Sequence, residues 1–97
     1  MQYFYRAHCT PDDALAHAER YFTGKGFTKH AGGLDAARYR DERGPVDVKV
    51  EIEGGHYTRV TVGTDDVGES ELDKVAKRFL AELHRVEEPA HKVRGAY

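Results

Sequence analysis

The clearest hydrophobic pattern in the chain is a strict alternation of apolar and charged residues between positions 46 and 53. This period of two is typical of a β-strand that buries one face and exposes the other. Positions 57–62 continue the alternation after two glycines, so the segment Val46–Val62 is predicted to form a β-hairpin. The alternating residues of its first strand are Val46, Val48, Val50 and Ile52 on one face, and Asp47, Lys49, Glu51 and Glu53 on the other.

The apolar face also fixes the register of this hairpin. A two-residue loop would place Val50 opposite Arg59 and bury a charge, because a shift of one residue turns every side chain to the other face. Pairing Val50 with Val60 instead leaves a three-residue loop that ends at His56. Such loops usually place their last residue in the left-handed region. The same register sets Glu51 opposite Arg59, which is a favourable cross-strand pair.

A first amphipathic helix is predicted after residue 10. Thr10 is a good N-cap, Pro11 suits the first helical position, and Gly24 or Gly26 ends the helix. Apolar residues recur every three to four positions between these signals. The predicted apolar stripe consists of Ala14, Leu15, Ala18, Tyr21 and Phe22.

A second amphipathic helix is predicted near the C-terminus. It begins with a capping box, Ser70-x-x-Asp73, and its end is predicted at Pro89. Residues 90–97 are expected to form a flexible polar tail, which leaves residues 1–89 as a single domain. The predicted apolar stripe of this helix consists of Leu72, Val75, Ala76, Phe79, Leu83 and Val86.

The aromatic segment Gln2–His8 is predicted to be the first strand. We expect Tyr3, Tyr5 and Ala7 to face the core, because the alternative face would bury Arg6. Two further strands are predicted at residues 27–31 and 34–41, joined by a glycine turn, and their pattern does not choose an inward face.

The predicted order of elements is β-α-β-β-β-β-α, which is an α+β fold. Two amphipathic helices need an apolar partner, and the valine face of one antiparallel sheet supplies it. The first helix crosses over between strands one and two, so the alternating strands that follow bring strand five antiparallel to strand one. The sheet is therefore predicted to have five strands in the order 2-3-4-5-1, with both helices on one face. The runner-up architecture is a ferredoxin-like domain with extra strands.

This order of elements resembles the half-repeat of TATA-binding proteins and the reduced core of the helix-grip (START or Bet v 1-like) domains. The resemblance covers nearly the whole chain and rests on topology, and no family motif matches, so no functional residue is carried over. A helix-grip domain implies a pocket for a small apolar or aromatic ligand between the sheet and the last helix. Its lining would be Tyr3, Tyr5, Tyr39, Phe79 and Leu83, for which an ordinary hydrophobic core is the other interpretation.

Composition narrows the class of protein. Only 19 of 97 residues are Leu, Ile, Val or Phe, so the core is thin and a large empty cavity is disfavoured. The net charge of −2 gives no strongly basic half for nucleic acid or a membrane surface. No segment resembles a signal peptide or a membrane span of ~20 apolar residues. The single Cys9 fits a reducing compartment, so we expect a cytoplasmic protein.

No catalytic residue, metal site or cofactor is predicted. The six histidines lack the HxH, HxxxH and CxxC spacings of metal sites. Cys9 precedes a helix N-terminus, but His8 points to the opposite side of the strand, which favours a small buried hydrophobe over a nucleophile. Glu51 and Glu53 share a face with basic residues, a pattern typical of a solvated surface.

Two functions follow from these observations. The first is a non-catalytic protein-interaction module that binds another protein or forms a homodimer, because no catalytic chemistry is predicted and the short second strand leaves an exposed sheet edge. Either edge pairing or the frayed face of the last helix would supply the contact. The alternative is a helix-grip-like binder of a small ligand, with or without weak enzymatic activity. Nucleic acid is disfavoured because the exposed face mixes acidic and basic residues, although Tyr57 between Arg38 and Arg59 could stack on single strands.

Overall fold

A computed structural model describes residues 1–55, 57–67 and 70–95, and it describes side chains as far as residue 86. Within these residues the strands form one antiparallel sheet in the order β1-β5-β4-β3-β2, with α1 and α2 on one face. The predicted α+β class and the predicted strand order are therefore confirmed. The elements are β1 (Gln2–Ala7), α1 (Pro11–Gly24), β2 (Thr28–Gly32), β3 (Ala36–Asp41), β4 (Gly44–Glu53), β5 (Tyr57–Thr64) and α2 (Glu71–Gly95).

The β4–β5 hairpin has the register that the valine pattern predicts. Val50 lies opposite Val60, and Glu51 lies opposite Arg59. The prediction about the backbone of His56 lies outside the described residues. The register could be predicted because only one face of this hairpin is buried, and a shift of one residue would have turned Arg59 toward that face.

Helix α1 begins and ends at the predicted signals. The Asp13 amide donates a hydrogen bond to Thr10 Oγ1 at 3.2 Å, so Thr10 is the N-cap. Beyond the C-terminal end, Gly26 has a φ of +92°, a conformation that favours glycine. The fully buried residues of this helix are Ala14, Ala18 and Phe22.

Helix α2 begins at the predicted capping box but differs from the prediction further along. It continues through Pro89 to Gly95, because a proline inside a helix removes one backbone hydrogen bond and disfavours the helix but does not forbid it. Leu80 is buried although it was absent from the predicted stripe, and Val86 is half-exposed because burial on this helix ends at Leu83. The flexibility of residues 90–97 stays a prediction.

The inward faces of β1 and β3 are also defined. On β1, Tyr3 and Tyr5 are half-buried and Ala7 is fully buried, as predicted. On β3, whose face the sequence left open, Ala37 and Tyr39 turn toward the core.

The strands β2 and β3 begin later than predicted. Phe27 precedes β2, which begins at Thr28, and its side chain is buried in the core. Leu34 is 93% exposed in the connecting loop, which moves the start of β3 to Ala36. The carbonyl of Asp35 accepts a hydrogen bond from the Val50 amide at 2.8 Å and holds this loop against β4.

The turn between β3 and β4 depends on Gly44. Its φ is +134°, and a Cβ at this position would lie 3.4 Å from Leu72 Cδ2. We expect Gly44→Ala to lower the free energy of unfolding by about 1–3 kcal/mol, because an L side chain is strained in this backbone conformation. Gly33→Ala is the matched control, since a Cβ there would meet no atom within 4 Å. Urea unfolding compares the two variants, and equal losses of stability would contradict the prediction.

Candidate functional site

The sheet has two edge strands, β1 and β2, and the β2 edge is protected against pairing with another chain. Its register with β3 shifts between Lys29 and Ala31, which marks a bulge. The Lys29 ammonium group also forms an ion pair with Glu19 of α1 at 2.8 Å. Bulges and lysine side chains are features that keep edge strands from pairing. The short second strand, from which the sequence suggested an interaction edge, is therefore a poor template for another strand.

The β1 edge has the opposite character. All six of its residues pair with β5 in a continuous register without a bulge. Met1 and Thr64 form two backbone hydrogen bonds of 2.9 Å with each other, so they are a hydrogen-bonded pair. Along an antiparallel pair of strands, hydrogen-bonded residue pairs alternate with pairs that are not hydrogen-bonded. The odd-numbered residues of β1 therefore bond to β5, and in the described part of the chain no strand pairs with the outer side of β1. That outer side presents the N–H and C=O groups of Gln2, Phe4 and Arg6.

β1 also carries aromatic side chains on both faces of the sheet. Phe4 lies on the face of the sheet opposite the helices, which we call the outer face, and is 50% exposed. On the helix face, Tyr3 and Tyr5 are half-buried against the core. Two residues of α2 contact these tyrosines: His84 Nδ1 lies 3.2 Å from the Tyr5 hydroxyl, and Lys77 Nζ lies 5.4 Å from the Tyr3 ring centroid. The edge therefore combines open backbone groups with partly exposed aromatic surface.

An ion-pair cluster on the outer face orders the side chains around Phe4. The guanidinium groups of Arg59 and Arg6 lie 4.5 Å and 5.3 Å from the centroid of the Phe4 ring. Both arginines also donate hydrogen bonds to Glu53. The hydrogen bond from Arg6 and the charges of both arginines lower the pKa of Glu53 below its ordinary value. Glu53 therefore remains a carboxylate at neutral pH, and it offsets part of the positive charge beside the β1 edge.

The five residues predicted to line a ligand pocket separate into two groups. Tyr39, Phe79 and Leu83 are almost completely buried in the core, whereas Tyr3 and Tyr5 lie at the β1 edge. A cleft of about 500 Å³ lies beside the β2–β3 loop, and one of about 240 Å³ lies between α1 and α2. None of the five residues lines either cleft. Ligand binding by these residues stays a prediction.

The residues considered for metal binding or catalysis are dispersed. Among the described residues, no three His, Cys, Asp or Glu side chains come together. Cys9 is half-buried, and its carbonyl accepts a hydrogen bond from the Thr58 hydroxyl. The His8 ring lies 5.6 Å from the Tyr57 ring. The two arginines predicted to flank a Tyr57 stacking platform for single strands are both paired with carboxylates: Arg38 with Asp47 at 3.5 Å and Arg59 with Glu53 at 3.3 Å.

Comparison with known proteins gives no assignment: no protein-family model matches the chain, and no curated protein matches it. The topological resemblance to TATA-binding half-repeats and helix-grip domains stays a prediction. In the part of the chain that the structure describes, no helix is both long enough and apolar enough to cross a membrane. The site is therefore assigned from its geometry alone.

Proposed function

We propose that this chain is a non-catalytic protein-interaction module that binds an extended polypeptide segment by strand addition to the outer edge of β1. One observation supports this function: β1 combines a regular outer row of backbone groups at Gln2, Phe4 and Arg6 with partly exposed aromatic rings on both faces. In strand addition the backbone supplies hydrogen bonds, and alternate side chains supply specificity. The segment belongs either to another protein or to a second copy.

The side chains of β1 define the chemistry of the segment that would fit. One residue of the segment would lie beside Phe4 on the outer face, and two would lie beside Tyr3 and Tyr5 on the helix face. Aromatic or β-branched residues at these places would cover the exposed ring surface, and each aromatic pair contributes about 0.5–1.5 kcal/mol. A basic residue opposite Arg6 is disfavoured because like charges directly opposite destabilise a sheet.

Phe4→Pro is expected to weaken the binding of extended peptides about 100-fold without unfolding the protein. The Phe4 N–H points away from β5, so a proline removes no β1–β5 hydrogen bond but deletes the central outer donor. The matched control is Phe4→Ala, which keeps that donor and loses only the ring. Peptides selected from a random library are titrated onto wild type and both variants, and amide exchange is followed at Gln2, Phe4 and Arg6.

The expected order of affinity is wild type, then Phe4→Ala, then Phe4→Pro. Equal affinity of all three proteins, or peptide binding that leaves the outer amides of β1 unprotected, would contradict the proposed function.

Tyr5→Pro tests which residues of β1 form hydrogen bonds with β5 and which face the open edge. It removes a hydrogen bond to β5, so it is expected to lower the melting temperature much more than Phe4→Pro does.

A further inference from the structure

We infer that the occupant of the β1 edge is the β1 strand of a second copy of this chain, paired antiparallel around a two-fold axis at Phe4. This inference rests on the proposed function of the β1 edge. A two-fold dimer requires a surface that is complementary to itself. An edge strand meets this requirement when it pairs antiparallel with its own copy, because each donor then faces an acceptor.

The outward residues select one register. When Phe4 lies opposite Phe4 of the second copy, Gln2 lies opposite Arg6, and all three outward residues form bonded pairs with about six hydrogen bonds in total. A register moved by one bonded pair in either direction keeps only two such pairs. A register centred on Arg6 would set two guanidinium groups opposite each other, which destabilises a sheet. The register centred on Phe4 is therefore the one with complete pairing and without opposed like charges.

This register also covers the aromatic surface of β1. The two Phe4 rings meet across the axis on the outer face, each with Arg59 already placed over it at 4.5 Å. On the helix face, Tyr3 of each copy lies opposite Tyr5 of the other. Gln2 can accept a hydrogen bond from Arg6 through its side-chain amide oxygen. The partly exposed rings of the isolated chain thus become cross-strand aromatic pairs.

The helices fit the same arrangement. Adjacent strands lie ~4.8 Å apart, so β1 would lie ~2.4 Å from the axis and β5 ~7 Å from it. Helix α2 packs across both strands and would therefore lie ~5 Å from the axis. The two α2 helices would then be ~10 Å apart, within the range at which helices pack against each other. Both copies can join without moving α2 away from β1.

Disulfide trapping with single cysteines in β1 tests this register in the full chain. In a Cys9→Ser background, Phe4→Cys is expected to give a disulfide-linked dimer as the main product with oxidised glutathione, because bonded pairs have Cα atoms ~5.5 Å apart. Gln2→Cys alone and Arg6→Cys alone are not expected to link, since each lies about 14 Å from its own copy. An equimolar mixture of Gln2→Cys and Arg6→Cys is expected to link.

Native mass spectrometry of the wild type supplies the second measurement. We expect the mass of two chains for wild type and of one chain for Phe4→Pro. A wild-type protein that stays one chain at its highest soluble concentration would overturn the inference, as would linking by Gln2→Cys alone. Peptide binding that depends on the Phe4 amide would in that case still support the proposed function. A wild-type protein that neither self-associates nor binds extended peptides would overturn both the inference and the proposed function.

Discussion

Phe22→Ala is expected to lower the free energy of unfolding by about 3–5 kcal/mol, a large share of the 5–15 kcal/mol that a domain usually has. The Phe22 side chain is fully buried on α1. Its neighbours come from different elements of the fold, so they cannot all move to fill the cavity that the substitution leaves. The rings whose centroids lie 5.1–5.3 Å from that of Phe22 belong to Tyr21, Phe27, Tyr39 and Phe79.

Urea unfolding measures this loss of stability, with Phe4→Ala as the matched control. At protein concentrations too low for self-association, the same change of side chain at Phe4 is expected to cost no more than about 1 kcal/mol, because Phe4 is half-exposed and its ring lies 4.5 Å from the Arg59 guanidinium group. A loss below about 1 kcal/mol for Phe22→Ala would contradict the description of this position as the centre of a packed core.

The same measurement bears on the two functions suggested by the sequence. Tyr39 and Phe79, two residues of the predicted ligand pocket, both contact Phe22. Residues that line a preformed pocket lose packing contacts on the open side, so substitution near them costs less stability. A large loss on Phe22→Ala therefore favours the interpretation of Tyr39 and Phe79 as core residues, and with it a function at the surface of the sheet.

Two features were predicted well from the sequence because a charge excludes the alternative. The hairpin register follows because a one-residue shift would bury Arg59, and the inward face of β1 follows because the other face would bury Arg6. Both helix starts follow from side-chain caps at Thr10 and Ser70, which act within one turn. Local chemistry was sufficient in each of these cases.

The candidate site was harder to predict because it depends on how the two edges differ. The predicted strand order gives β1 and β2 as edge strands. The bulge between Lys29 and Ala31 could not be predicted, because apolar and polar residues alternate only weakly in β2 and an extra residue does not visibly interrupt their pattern. The signal for β1 was present in its sequence, QYFYRA, which has three aromatic residues and no proline, glycine or lysine. Burial of Leu80 also escaped the helical pattern, because the width of the covered arc depends on how α2 lies across β5 and β1.

The other large effect is expected at Asp73, a fully buried carboxylate that joins the end of β5 to the start of α2. The Thr64 hydroxyl donates a hydrogen bond to Asp73 Oδ1, and the Ser70 hydroxyl donates to Oδ2 at 3.2 Å. The Ser70 amide also donates to Oδ2, and the Asp73 amide donates to Ser70 Oγ at 3.0 Å, which completes the capping box. Asp73→Ala leaves the Thr64 hydroxyl, the Ser70 hydroxyl and the Ser70 amide without the carboxylate that accepts from them.

We expect Asp73→Ala to lower the free energy of unfolding by about 2–4 kcal/mol at neutral pH, because the carboxylate half of the capping box is lost and partly buried donors lose their acceptor. Asp73→Asn keeps the size of the side chain and is expected to lose less. Asp12→Asn in the exposed first turn of α1 is the matched control, with an expected loss of at most about 1 kcal/mol from the helix dipole. Urea unfolding of the three variants at neutral pH ranks these losses.

The pH dependence separates the charge of Asp73 from its shape. Burial alone would raise the pKa of this carboxyl, but the hydrogen bonds from Thr64 and Ser70 outweigh burial and lower the pKa below its ordinary value of 3.8. A carboxyl with a lowered pKa in the folded state stabilises the protein above its unfolded-state pKa, and this contribution disappears as the pH falls through the folded-state pKa. The stability difference between wild type and Asp73→Asn should therefore be constant above about pH 5 and shrink below pH ~4. If the stability difference between wild type and Asp73→Asn stays constant below pH ~4, the hydrogen-bond geometry of Asp73, and not its charge, stabilises the junction between β5 and α2.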